Sequence, residues 1–146
     1  MVHALTEARR VLKPNGILID MRPAAKHRRA GLGEGKRWQF VGAMREKFDD
    51  DNAADRAVRQ VIRAGLFEKI KQVEFNLDRV MDSLEDVHVW LNDFSTDKLP
   101  SHEWLYRRIE RAVAKEPDGT KITIRGPLKI GLLRKIEKQA GMQTSP

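Results

Sequence analysis

Asp20 and Arg22 are the polar residues best placed for chemistry in this sequence. They stand at the carboxyl end of the apolar run that begins Ile17-Leu18-Ile19. If that run is a strand of an open α/β sheet, the pair marks a ligand groove, because such sheets bind ligands beyond the carboxyl ends of their strands. The structural alternative is that Asp20 caps a neighbouring loop and pairs with Arg22. His3, His27, His88 and His102 are scattered. His88 and His102 flank two expected helices, but no third ligand or closely spaced histidine pair accompanies them, so no metal site is expected. Asp49-Asp50-Asp51 reads as a helix start favoured by the helix dipole. Ser83 and Ser101 read as helix caps rather than nucleophiles. Gly31-Leu32-Gly33-Glu34-Gly35-Lys36 does not directly follow an expected strand and misses the phosphate-loop spacing. It reads as a connector. Trp38, Trp90 and Trp104 either line a pocket or anchor a core or interface. No residue is assigned to catalysis, cofactor binding or a metal, and Asp20 and Arg22 stand alone as ligand-groove candidates.

The chain that must position these residues has 146 of them, with 40% apolar and 34% charged. That is a globular composition of about one domain. Residues 1–138 are expected to form a single α/β domain, with a frayed tail over 139–146. Cysteine is absent, which excludes disulfides, thiolate nucleophiles and iron–sulfur clusters. No apolar run is long enough to span a membrane. The N-terminus lacks a signal-peptide layout, so a cytoplasmic location is the expectation. Twenty-eight Lys and Arg oppose 21 Asp and Glu, for a net charge of +7. Residues 1–50 and 101–146 are net basic and the middle is net acidic. The densest basic stretch is Lys26-His27-Arg28-Arg29 with Lys36 and Arg37. Such a patch suits phosphates, but no nucleic-acid-binding signature accompanies it. An aromatic content of 6% argues against a base-stacking platform.

Periodicity predicts a helix over residues 2–12, with Leu5, Ala8, Val11 and Leu12 on one face. Pro14-Asn15-Gly16 stops it. Ile17–Met21 is predicted as a strand buried on both faces. Residues 24–37 are predicted as a mobile loop, with a short strand over Trp38–Val41. A helix follows to about Ala64, then a strand over 69–77 in which Val73, Phe75 and Leu77 alternate with polar residues. That alternation predicts one buried face, with a bulge or late start at Ile70. Helices are predicted from Ser83 to Asp93 and from Pro100-Ser101 onward, then a strand over 121–125. Residues 128–138 fit both periods, and helix is the favoured reading. The fold class is therefore α/β: a small mixed sheet of three to four strands packed with helices.

The segment Ala4-Leu5-Thr6-Glu7-Ala8-Arg9-Arg10-Val11-Leu12-Lys13-Pro14-Asn15-Gly16, followed by Ile17-Leu18-Ile19-Asp20, resembles part of the class I S-adenosylmethionine-dependent methyltransferases. In that family such a helix and Pro-Gly turn precede the fifth strand of a seven-stranded, Rossmann-like sheet. Asn15 stands where the family usually has Gly, a mild departure because Asn tolerates a left-handed backbone. By layout, 53–64 resembles the helix after the fifth strand, 69–77 the sixth strand, 82–93 an insertion and 121–125 the seventh strand. The resemblance thus implies the C-terminal half of such an enzyme, without the N-terminal half that binds the cofactor. It implies no cofactor for this chain alone, and S-adenosylmethionine only if the N-terminal half is supplied.

Three functions follow as expectations. The chain is a methyltransferase-like part, inactive alone; or a non-catalytic interaction or assembly module; or a basic nucleic-acid-binding protein. In the first two, the Ile17–Met21 edge lacks its neighbouring strand. An unpaired apolar edge invites another chain. A homo-oligomer, or a companion chain pairing at Ile17–Met21, is the expected partner; no membrane is.

Overall fold

A computed structural model describes residues 1–94 and 100–137. Among these, four α-helices and five strands form in the order α1 (Val2–Val11), β1 (Ile17–Pro23), β2 (Arg29–Leu32), β3 (Gln39–Ala43), α2 (Asp49–Arg63), β4 (Phe67–Met81), α3 (Leu84–Phe94), α4 (Pro100–Val113) and β5 (Ile122–Lys135). The expected tail over 139–146 lies outside the described residues. The α/β class holds, but the sheet has five strands rather than three or four, and its pairings are antiparallel rather than mixed. Strand β5 pairs with β1, with β2 and with β4, and β3 pairs with β2. Ion pairs Arg134–Glu68 and Arg125–Asp78 fix the antiparallel sense of β4 and β5. The chain divides into two compact units.

The first unit comprises Met1–Ala24, Phe48–Glu74 and the described residues from Leu128 onward. Asn15 adopts φ 58° in the turn between α1 and β1, the left-handed conformation its side chain tolerates. Leu5 of α1 and Ala57, Val58 and Val61 of α2 pack with Phe67 and Leu133 into one core. Arg9 ties α1 down by donating to the carbonyls of Leu66 (3.2 Å) and Ile136 (2.8 Å). Gly65, at φ 67°, turns the chain out of α2 into β4.

Strand β1 corrects its expected burial on both faces. Leu18 packs on the core, while Ile17, Ile19 and Met21 are exposed at 45%, 65% and 62%. The reason is pairing and cover: β1 ends the strand order, with β5 as its neighbour, and its core contacts come through Leu18 alone. Residues 128–135 correct the helix reading. They are strand, in unbroken register with β1 from Leu128↔Pro23 to Arg134↔Ile17. Strand β4 also departs from expectation. Only its end residues Phe67 and Met81 are buried, and Val73, Phe75 and Leu77 are exposed with the rest.

The second unit comprises Ala25–Lys47 and the described residues of Phe75–Pro127. The stretch 24–37 is not the predicted loop. It contains β2 and a 3-10 turn at Gly35–Arg37, and leads into β3. Ala30 and Leu32 of β2 join Met44, Met81, Val87, Leu91, Leu105, Ile109, Ile122 and Ile124 in the core. The glycines serve packing: a Cβ at Gly31 would collide with the Trp38 ring, and β2 carries a register shift at Ala30/Gly31. Trp38 donates to the Thr123 carbonyl at 3.2 Å, and buried Thr123 donates to the Gly33 carbonyl at 2.7 Å. Ser83 opens α3 with a reciprocal cap. Its hydroxyl accepts from the Asp86 N–H at 3.1 Å, and its N–H donates to the Asp86 carboxylate at 3.0 Å.

Candidate functional site

Asp20 and Arg22 come together, and the structure adds Asp55 and Lys129. Alternation along β1 puts Leu18, Asp20 and Arg22 on one face. Arg22 Nε donates to both Asp20 oxygens at 2.8 and 2.9 Å, and its terminal nitrogen reaches Asp55 Oδ1 of α2 at 2.8 Å. Lys129 of β5, opposite Arg22 in the register, pairs with the same Asp55 oxygen. Lys129 is buried. Gly131 lies opposite Asp20 in the register, and a Cβ there would make only ordinary contact with the Asp20 side chain at 3.9 Å.

The electrostatics are those of mutual neutralisation. Burial alone would push the Asp55 carboxyl upward. Hydrogen bonds and charge from Lys129 and Arg22 outweigh it, so its pKa lies below the ordinary value. Burial likewise opposes the Arg22 charge, and Asp20 and Asp55 outweigh it, so its pKa is raised. Two acids and two bases satisfy one another. Such a cluster fixes α2 against the sheet, with each charge held by an opposite one. The geometry thus favours the structural alternative for Asp20 and Arg22.

Sequence reasoning did not find Asp55 or Lys129. The available signals were a lone cation inside Leu128–Leu133 and an acid one turn before Val58 of the inward helical face. The histidines do not converge. His88 meets Tyr106 edge to face with ring centroids 5.5 Å apart and contacts Asn92, and His27 Nδ1 accepts from the Glu46 N–H at 3.2 Å. Among the described residues no group of three His, Asp or Glu side chains could hold a metal ion. No helix among them is long and apolar enough to cross a membrane.

The second unit holds a cavity of about 610 Å³, lined by His27, Phe40, Arg45, Trp104, Arg108 and the backbone of β3 to Met44. Gly42 shapes its floor: a Cβ there would stand 2.8 Å from Leu105 Cδ1. Arg108 lies 4.8 Å over the Trp104 ring. Of these residues, the sequence points to Trp104 alone as a pocket residue. The dense basic stretch of the sequence is largely engaged elsewhere. Arg28 pairs with Glu46, and Arg29 sits 5.6 Å over the Trp38 ring, which Arg125 approaches at 4.3 Å. No protein-family model matches this chain, and no curated protein matches it.

Proposed function

We propose that this chain is a non-catalytic assembly module, laid out like the C-terminal part of a class I methyltransferase, that pairs with a second copy of itself through β1. The observation that carries this reading is the bare apolar side of β1: Ile17, Ile19 and Met21, each about half exposed or more, on a strand that ends the sheet. The elements α1, the Pro14-Asn15-Gly16 turn, β1, α2, β4 and β5 follow the methyltransferase-like layout and support it, with β2 and β3 standing before α2 and α3 and α4 before β5. S-adenosylmethionine would enter only with a companion supplying the cofactor-binding half. The Gly31–Gly35 stretch offers no substitute, because Gly31 is taken up by packing against Trp38.

The ladder itself favours one register of self-pairing. The Gly16 carbonyl accepts from the Lys135 N–H at 2.9 Å. In an antiparallel ladder, bonded and non-bonded pairs alternate. Leu18, Asp20 and Arg22 therefore direct their backbone groups to β5, and Ile17, Ile19 and Met21 direct theirs to the free edge. A two-fold pairing centred on Ile19 sets Ile17 opposite Met21 of the other copy and Ile19 opposite its twin. It satisfies every outward N–H and C=O of these three residues and joins two apolar stripes. Shifting the centre to Asp20 sets the two Asp20 side chains directly opposite each other, their Cβ atoms about 4.5–5.5 Å apart, where like charges repel. Shifting it to Met21 sets Pro23, which has no N–H, into the ladder.

Analytical ultracentrifugation tests this. The wild-type chain should sediment as a dimer at micromolar concentration. Ile19→Lys, a charge on an exposed edge residue, should sediment as a monomer with an unchanged circular dichroism spectrum. A wild-type monomer across the micromolar range overturns the reading. Saturable S-adenosylmethionine binding in calorimetry by the same preparation would overturn its non-catalytic part.

A further inference from the structure

We infer that the cavity of the second unit binds a nucleotide, its base against Phe40 and Trp104 and its phosphate at Arg45 and Arg108. Four observations converge on this chemistry. First, Phe40 and Trp104 are 57% and 49% exposed. Flat apolar rings left in water beside a cavity call for a flat partner, and every nucleobase offers one. Second, each charged side chain lining the cavity is a cation, with His27 the one further titratable group. A site with no carboxylate selects anions.

Third, these cations are unspent. Among the described residues Arg45 has no ion-pair partner, and Arg108 is engaged by the Trp104 ring rather than by an acid. The contrast with Trp38 is direct. There the ring lies against Gly31 and is met by Arg29 and Arg125, and Arg125 is itself paired with Asp78. That cation–aromatic cluster is closed, whereas the one at Trp104 is open. Fourth, a volume of about 610 Å³ falls within the usual range of small-ligand sites. Phe40 already tilts against Trp38, ring centroids 6.1 Å apart, and Arg108 covers one face of Trp104; an acidic peptide would satisfy the arginines but would leave the remaining exposed ring surface uncovered.

The nucleotide can come free or as a residue of a single strand, since both present a base and a phosphate. The test uses the full chain. A fluorescein-labelled oligothymidylate of about a dozen nucleotides, near the span of single-strand binding sites, is titrated by anisotropy at low salt. AMP is titrated by calorimetry. Saturation by the oligomer alone identifies a nucleic-acid source, and saturation by AMP a free one. Trp104→Ala and Phe40→Ala should each weaken binding by about tenfold, the scale of one lost base stack. Arg45→Glu should weaken it by at least as much and flatten the salt dependence by about 0.7 in log–log slope for each phosphate no longer neutralised. Lys13→Glu makes the same charge change on an exposed residue of the first unit, and should cost less than about twofold. Failure of both probes to bind overturns the inference. So does an equal loss from Lys13→Glu and Arg45→Glu, which would mean attraction to net charge alone. Polyglutamate binding as tightly as the oligonucleotide would also overturn it, because the rings would then have no role.

Discussion

Both units close an apolar core, but they differ in what surrounds the charged side chains at their candidate sites. In the first, Asp20, Arg22, Asp55 and Lys129 neutralise one another between α2 and the sheet, while Ile17, Ile19 and Met21 are left exposed on β1. In the second, ten apolar residues close a core and the arginines lie outside it, at a cavity with exposed rings. Paired charges inside and apolar side chains outside make a surface suited to another protein chain. Apolar residues inside and unpaired cations outside make one suited to a small anion or a phosphate backbone. The difference teaches that the net charge of +7 is a poor guide to where binding occurs. What matters is which cations lack an acid.

The largest effect should come from breaking the paired side of this comparison. Asp55→Ala leaves Lys129 buried and Arg22 half-satisfied. It should cost roughly 2–3 kcal/mol in urea unfolding, less than the roughly 3–5 kcal/mol of a fully buried pair because Asp55 stays partly open to water. Adding Lys129→Met should recover most of the loss, since the orphaned charge goes with it. If Asp55→Ala is neutral, the network is no structural clasp and the comparison fails at its first term.

Acid should act on the two units in different windows. Asp55 has a folded pKa below its ordinary 3.8, so its contribution is present above that value and is lost as pH falls through the lower folded value. His102 of α4 is depressed from 6.5 by burial, and among the described residues its buried Nε2 has no partner. Protonation therefore opposes the fold, and stability should decline as pH drops below 6.5, well before Asp55 titrates. Unfolding followed between pH 7 and pH 3 should show the first decline in wild type and its absence in His102→Leu. An unchanged first decline in that variant would assign it to another group.

How much of this was legible in the sequence depends on how local the signal was. Helix α1, the Pro14-Asn15-Gly16 turn and the existence of β1 rest on periodicity and turn chemistry within a few residues, and they stand where expected. Ser83 opens α3 for the same reason. The strand over Trp38–Val41 was legible as β3, but the stretch 24–37 was opaque because β2 is short and carries Gly31, and its pairing partner in β5 lies some 90 residues away, as in Gly31↔Thr123. Residues 128–138 carry both periods, and the long-range register with β1 decides between them. Burial was the least legible property. Alternation in β4 signals one covered face, yet the strand is exposed between its end residues, because alternation states which side chains share a face and not whether anything lies on it. Asp20 and Arg22 were found, but their partners Asp55 and Lys129 are 33 and 74 residues apart from Arg22 and from Asp55 respectively. Only the fold brings these together.

A moderate effect is expected at the α3 cap. Ser83→Ala removes the acceptor of the Asp86 N–H and should lower stability by about 1 kcal/mol. That loss belongs to the second unit's core, since Val87 and Leu91 on the same helix are buried there. Ser83→Thr should keep most of the stability, because its hydroxyl can donate to the Asp86 carboxylate and accept from the Asp86 N–H in the same way.

The smallest effect is the most telling for the comparison. Arg45→Ala should change urea stability by less than about 0.5 kcal/mol, because an exposed arginine that makes no ion pair among the described residues contributes little to the fold. The same substitution should weaken nucleotide binding markedly. A residue that leaves stability untouched and affinity reduced is one whose charge is held for a ligand. If Arg45→Ala instead destabilised the chain as Asp55→Ala does, the second unit's cations would be structural like those of the first. The distinction between paired charge inside and unpaired charge outside would then carry no functional meaning.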